Sequence, residues 1–158
     1  MKKQKGFSLI ELLIVVAIIL IIAAIAIPNL LRSRMAANES SAVGSLRTIN
    51  TAEVAYSTTY PAIGFTALSA LGGAAPCTSA TSATACLIDN VLSASPNVKS
   101  GYDFTATASG SAPSVQYTSL GLPTVVGQSG QRAFCSDQSG VIRYNTGGTA
   151  CSNADSAL

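Results

Sequence analysis

The feature that most limits what this chain can become is an apolar run close to its start. From Leu12 to Ile27 there are 16 consecutive apolar residues, and the wider span from Phe7 to Ile27 adds only Ser8 and Glu11 as polar members. As a helix, those 21 residues reach about 31 Å, against a bilayer core of roughly 30 Å. Glu11 is the one obstacle to insertion. The 15 Leu, Ile, Val and Phe side chains of the span favour insertion by about 4.5 to 9 kcal/mol together, whereas a charge at the helix centre costs about 2.5 to 3.5 kcal/mol and less near an end. Insertion wins, and Lys2, Lys3 and Lys5 ahead of the run place the N-terminus in the cytoplasm and the bulk of the chain outside.

An acid at membrane depth needs a partner. No Lys or Arg lies within a turn or two of Glu11 on the run, and the nearest downstream cation is Arg32. A cut after Gly6 would expose a new α-amino group at Phe7, positive below a pKa of about 7.7 to 8.0. That ammonium would lie near the depth of Glu11, where it can pair with the carboxylate of a neighbouring chain.

The stretch K-G-F-S-L-I-E-L-L-I-V-V-A-I, with Gly6 before Phe7, Glu11 five positions after the glycine and Pro28 following the apolar run, resembles the prepilin signature of type IV pilins and of type II secretion pseudopilins. The motif covers about the first third of the chain. The resemblance implies leader cleavage between Gly6 and Phe7 by a prepilin peptidase and N-methylation of Phe7. It also implies helical homo-oligomeric assembly into a thin surface filament, with Glu11 and Phe7 as the assembly residues. The subunit would wait in the inner membrane, single-pass with its C-terminus in the periplasm, until assembly machinery moved it into an extracellular fibre. Fibres of this kind serve motility, adhesion, DNA uptake or secretion.

Three plainer readings compete. A secretory signal peptide would also place basic residues before an apolar run, and Ala24-Ile25-Ala26 is an A-x-A triplet. Its apolar region is normally only about 7 to 15 residues, however, and Pro28 would sit two residues past the cut. A monomeric anchored binding domain has no use for an acid at membrane depth. A buried core helix would need more protein around it than this chain supplies.

Composition fits an exported filament subunit. The 158 residues leave room for one modest domain beyond the helix, and charged residues are 10% of the chain, against about 25% in ordinary soluble domains. The net charge of +2 belongs to the chain with its leader; loss of Lys2, Lys3 and Lys5 leaves six basic against seven acidic side chains, a net −1. Lys99, Arg132 and Arg143 are isolated and interleaved with acids, so no nucleic-acid patch is expected.

Beyond Pro28, apolar or small residues recur at Leu31, Met35, Ala42, Leu46, Ile49, Ala52, Tyr56 and Tyr60, mostly three or four apart, as on one face of a helix. A single helix from about Ser8 to Thr58 is expected, with Arg32, Arg34, Glu39, Arg47 and Glu53 on its polar face. Pro28 removes a hydrogen bond and clashes with the carbonyl four residues back, which predicts a kink or a melted turn. Asn38-Glu39-Ser40 matches a glycosylation triplet but falls mid-helix. The expected organisation is a leader at 1–6, a filament-core half of the helix at 7–31, an amphipathic half at 32–60, a connecting loop at 61–100 with a short helix over 85–92, and a sheet region at 101–158. In that last region Tyr102, Phe104 and Ala106, then Val115 and Tyr117, alternate with polar residues, and two further strands flank Asp137-Gln138-Ser139-Gly140. The fold class is therefore α+β, a pilin-like long helix packed against a four-stranded antiparallel sheet.

Four cysteines in an exported chain imply disulfides. Three connectivities are open, and the local one, Cys77 with Cys86 and Cys135 with Cys151, is favoured. Zinc fits poorly, because the chain has no His and no C-x-x-C. Catalysis has little to work with. Without His a Ser or Cys nucleophile lacks its usual base, and Asp89, Asp103, Asp137 and Asp155 form no recognisable pair. No enzyme activity, metal or cofactor is expected; one carboxylate in the Asp137 turn is turn chemistry rather than a calcium site.

Overall fold

The computed structural model describes residues 7–158, which fall into two compact units, one ending at Arg34 and the other comprising Met35–Leu158. The helix α1, Leu9–Thr59, is continuous through both Pro28 and Gly44. The melted turn expected at Pro28 is absent, because a proline forfeits one N–H bond while the flanking turns keep theirs. In the first unit every described side chain is exposed except Ala23, which is half-buried. This part of α1 is long and apolar enough to cross a membrane.

In the second unit the helix is amphipathic in fact. Ala42, Leu46, Ile49, Ala52 and Tyr56 are buried at intervals of three and four residues, and they share one core with Tyr102, Phe104, Ala106 and Phe134 of the sheet. Complete burial of a side chain such as Leu46 or Ile49 is worth about 1.5 to 3 kcal/mol. Glu39 and Glu53, expected on the polar face, are buried instead; Gln131 and Arg132 supply donors to both oxygens of Glu39, and Thr66 supplies one to Glu53.

The sheet has six strands rather than four. In chain order they are β1 Val98–Lys99, β2 Tyr102–Ser109, β3 Gln116–Pro123, β4 Ala133–Asp137, β5 Arg143–Asn145 and β6 Ser156–Ala157, each antiparallel to the next in a simple meander. The two additions, β1 and β6, are only two residues long, too short to show a period of two. Strand β3 also runs through Gly121-Leu122-Pro123, which reads as a turn in sequence. Gly121 is needed there for space: a Cβ at that position would come within 3.0 Å of the Phe104 ring.

The connecting segment supplies core as well as surface. Leu68, Leu71, Ala85, Ile88 and Leu92 are all buried in the shared core. The helix expected over 85–92 is confined to α3, Asn90–Ser93, capped by the Asp89 side chain, which accepts from the Leu92 N–H at 2.8 Å. Residues 85–87 are irregular instead, with Cys86 at a φ of 57°, and donate their N–H groups to the carbonyls of Ala70, Gly72 and Leu71 around α2, Leu68–Leu71. Backbone pairing with a segment 15 residues away overrides the local apolar spacing.

Candidate assembly site

The start of α1 is built by its own sequence. Ser8 precedes the first helical residue, and its backbone N–H donates to Oε2 of Glu11 at 3.1 Å. Ser-x-x-Glu at a helix start is a capping box, in which the acid three residues in reaches back to an N–H the helix leaves unpaired. The carboxylate also sits at the positive end of the helix dipole. Glu11 thus has a structural task within its own chain, one that the spacing Ser8-Leu9-Ile10-Glu11 signals and that needs no charged partner. One oxygen is engaged with Ser8, and the group is exposed. Phe7 is 81% exposed. Gly6 lies outside the described residues.

The second unit holds two buried acids with different solutions. Glu39 is saturated: Oε1 accepts from the backbone N–H groups of Gln131 and Arg132 at 2.9 and 3.1 Å, and Oε2 faces the Arg132 guanidinium at 2.8 Å. The guanidinium carbon in turn lies 5.3 Å from the ring centre of Phe134 and 5.4 Å from that of Tyr144, a favourable face-on geometry for a cation. This clamp fastens α1 to the segment leading into β4 across 93 residues of sequence, a separation at which sequence carries no signal. Tyr102 closes the same cluster by donating its hydroxyl to the Arg132 carbonyl at 2.8 Å; burial, reinforced by the Glu39 charge, holds that phenol well above its usual pKa.

Glu53 lies beyond the apolar run, inside the head, and is less well provided for. Oε2 accepts from the Thr66 N–H at 3.1 Å, while Oε1 is buried without a partner. Burial pushes its pKa up to about 7 against the pull of the Thr66 hydrogen bond. Between the two acids, Asn50 links the layers, donating to Ser136 Oγ at 2.8 Å and accepting from the Tyr117 hydroxyl at 3.0 Å.

Disulfides join Cys77 to Cys86 and Cys135 to Cys151, with Cα separations of 5.9 and 5.6 Å. The first closes the loop beside α2; the second ties β4 to the C-terminal segment. Asp137 Oδ1 accepts from the Ser139 N–H at 2.8 Å and from its hydroxyl, the expected turn chemistry. Tyr56 and Tyr60 pack together at 4.8 Å between ring centres. Asn38 donates its amide to the Ser129 carbonyl, so the glycosylation triplet is engaged in the fold.

Residues 1–27 match the family described as the prokaryotic N-terminal methylation motif. The chain is similar to the type IV wide pilus major component PilA4 of Thermus thermophilus, 62% identical over 40 residues that make up 25% of this chain and 30% of that protein. It is also similar to the type IV major pilin protein PilA of Myxococcus xanthus, 46% identical over 54 residues, 34% of this chain and 24% of that one. The matched part of the chain thus spans less than a third of either curated relative. No solved structure matches. The N-terminal segment is an N-terminal methylation motif of the kind that type IV pilins carry, set here before an α+β domain.

Proposed function

We propose that this chain is a major pilin, a structural subunit that polymerises into a type IV pilus after a leader is removed between Gly6 and Phe7. The observation that carries the reading is the first unit of α1: a continuous helix, exposed along its length, apolar throughout its first 18 residues after Leu9 save for one carboxylate at its start, within a segment that matches the methylation motif. An isolated chain would leave such a surface in water, where each buried CH₂ forgone costs about 0.8 kcal/mol. Lipid covers it first, and neighbouring copies cover it later.

In this mechanism the inner membrane stores inserted subunits, single-pass with the C-terminus in the periplasm. A prepilin peptidase cuts the leader, Phe7 is N-methylated, and assembly machinery transfers residues 7–31 from lipid to the filament core. That transfer exchanges one apolar setting for another, so helix packing and the machinery supply its direction. Glu11 sets the register by pairing with the Phe7 ammonium of an adjacent copy, since an unpaired buried charge is costly even where a paired one adds little. Pro28 is the position at which the rod bends or unwinds as it packs. The amphipathic half, residues 32–60, carries the loop at 61–100 and the sheet region at 101–158 to the fibre surface.

N-terminal sequencing of sheared cell-surface material, with electron microscopy of the same sample, tests this. Fibres composed of a chain that begins at N-methylated Phe7 are expected. A chain that begins at Ile27, or monomeric material with no fibres, would defeat it.

A further inference from the structure

Most charged side chains of the second unit already have partners. Glu39 pairs with Arg132 and Asp89 with Lys99; Glu53 and Asp137 are held by backbone N–H groups; Asp155 accepts from Asn145 and Ser152, and Arg143 donates to the Asp155 carbonyl. Among the described residues from Met35 on, one cation and one acid are left without an ion pair or a side-chain hydrogen bond: Arg47 and Asp103. Both are exposed.

The two lie on different surfaces. Arg47 follows the buried Leu46 on α1 and faces solvent on the helix side. Asp103 alternates with the buried Tyr102 and Phe104 on β2, and therefore stands on the side of the sheet turned away from α1. A single neighbour cannot meet both at once across a two-fold axis. A contact between Arg47 of one copy and Asp103 of the next is head-to-tail, the kind that propagates into an open helical array.

Arg47 is bordered by clefts and Asp103 by apolar side chains. Arg47 lines two clefts, one of about 340 Å³ that runs past Ala52, Ala55 and Leu87, the other of about 320 Å³ that reaches Gly44, Leu158 and the Glu39–Arg132 pair. A Cβ at Gly44 would meet nothing within 4 Å, so nothing within this chain requires a glycine there, although glycine inside a helix costs about 1 kcal/mol relative to alanine. Close approach of another surface would use that space. Around Asp103, the cross-strand partners Val98 and Leu122 share its face and give it an apolar shoulder, with Val98 37% exposed.

We propose that Arg47 and Asp103 form an ion pair between the heads of successive copies, with Val98 and Leu122 of one copy entering the cleft beside Leu87 of the next. The proposal rests on the filament reading above. It is tested in the full chain, in the cells that produce it, with subunit levels in the membrane followed as a control. Arg47→Asp and Asp103→Arg should each lower the yield of sheared fibres about tenfold, and the double swap should bring it back. A chain carrying both Arg47→Cys and Asp103→Cys should give a ladder of covalently joined copies on mild oxidation of intact fibres, whereas either cysteine alone stops at dimers. Normal fibre yield from both single variants, a swap that fails to restore it, or a double-cysteine variant that stops at dimers overturns the contact while fibres still exist. Absence of fibres from the unaltered chain would remove the filament reading and this contact together.

Discussion

Glu11 carries two tasks that substitution can separate. Its carboxylate caps α1 through the Ser8 N–H, and in the proposed filament its charge pairs with an adjacent Phe7. Glutamine can still complete a capping box but has no charge, so Glu11→Gln should leave the helix start intact and still reduce fibre yield. Glu11→Val should lose both the cap and the fibres while the chain remains inserted and is still cut. Amide hydrogen exchange at residues 8–12, read beside fibre yield, distinguishes the variants; full fibre yield from either would remove the pairing role. Glu53 gives a second test. Its pKa is raised from 4.5 to about 7, so the folded state holds a proton that the unfolded chain releases between those values. The contribution of Glu53 to the stability of the head should therefore be fully present below pH 4.5, fall by about 3 kcal/mol as pH rises to 7, and level off above it. Glu53→Gln should flatten that slope. Thermal unfolding of the full chain in detergent at several pH values between 4.5 and 8 reads it directly, and an unchanged slope would mean that another group is responsible.

At the scale of elements, two glycines predict opposite outcomes. Gly121 of β3 leaves room for the buried Phe104 ring, so Gly121→Ala should destabilise the head by about 1 to 3 kcal/mol through overpacking. Gly44 on α1 has open space about its Cα, so Gly44→Ala should stabilise the isolated chain by up to about 1 kcal/mol through helix propensity. Midpoints of thermal unfolding for the two variants should move in opposite directions. The same elements show how much the sequence makes legible. Helix α1 was readable almost to the residue, because Leu46, Ile49, Ala52 and Tyr56 repeat at helical spacing and the apolar run leads straight into them. The burial of Glu39 was not readable, since its partners at Gln131 and Arg132 are brought to it only by the completed fold. Residues 85–87 look helical by spacing, yet backbone bonds to the segment around α2 hold them out of a helix. Strands β1 and β6 pair over two residues each, too few to leave a pattern. The capping box at Ser8 and Glu11 was readable from its spacing alone.

For the whole molecule, the described residues divide into an exposed apolar rod that ends at Arg34 and a head with its own core, and the head is fastened chemically as well as by packing. The disulfide from Cys135 to Cys151 joins residues 16 apart, and a bridge over such a loop contributes about 3 kcal/mol in the chain-entropy account. A Cys135→Ala/Cys151→Ala variant should unfold at a lower temperature than the parent, and reductant should lower the parent's midpoint toward that of the variant. Equal midpoints for parent and variant in the absence of reductant would show that the bridge does not constrain the head. The spread of contacts along α1 has a mechanical consequence. From Glu39 to Tyr56 the helix is held at every turn, by the Arg132 clamp at one end and by aromatic packing at the other. In the proposed fibre, a pull along the helix axis loads those attachments side by side instead of peeling them away in sequence. The head should therefore ride on a stretched fibre without being torn from its helix.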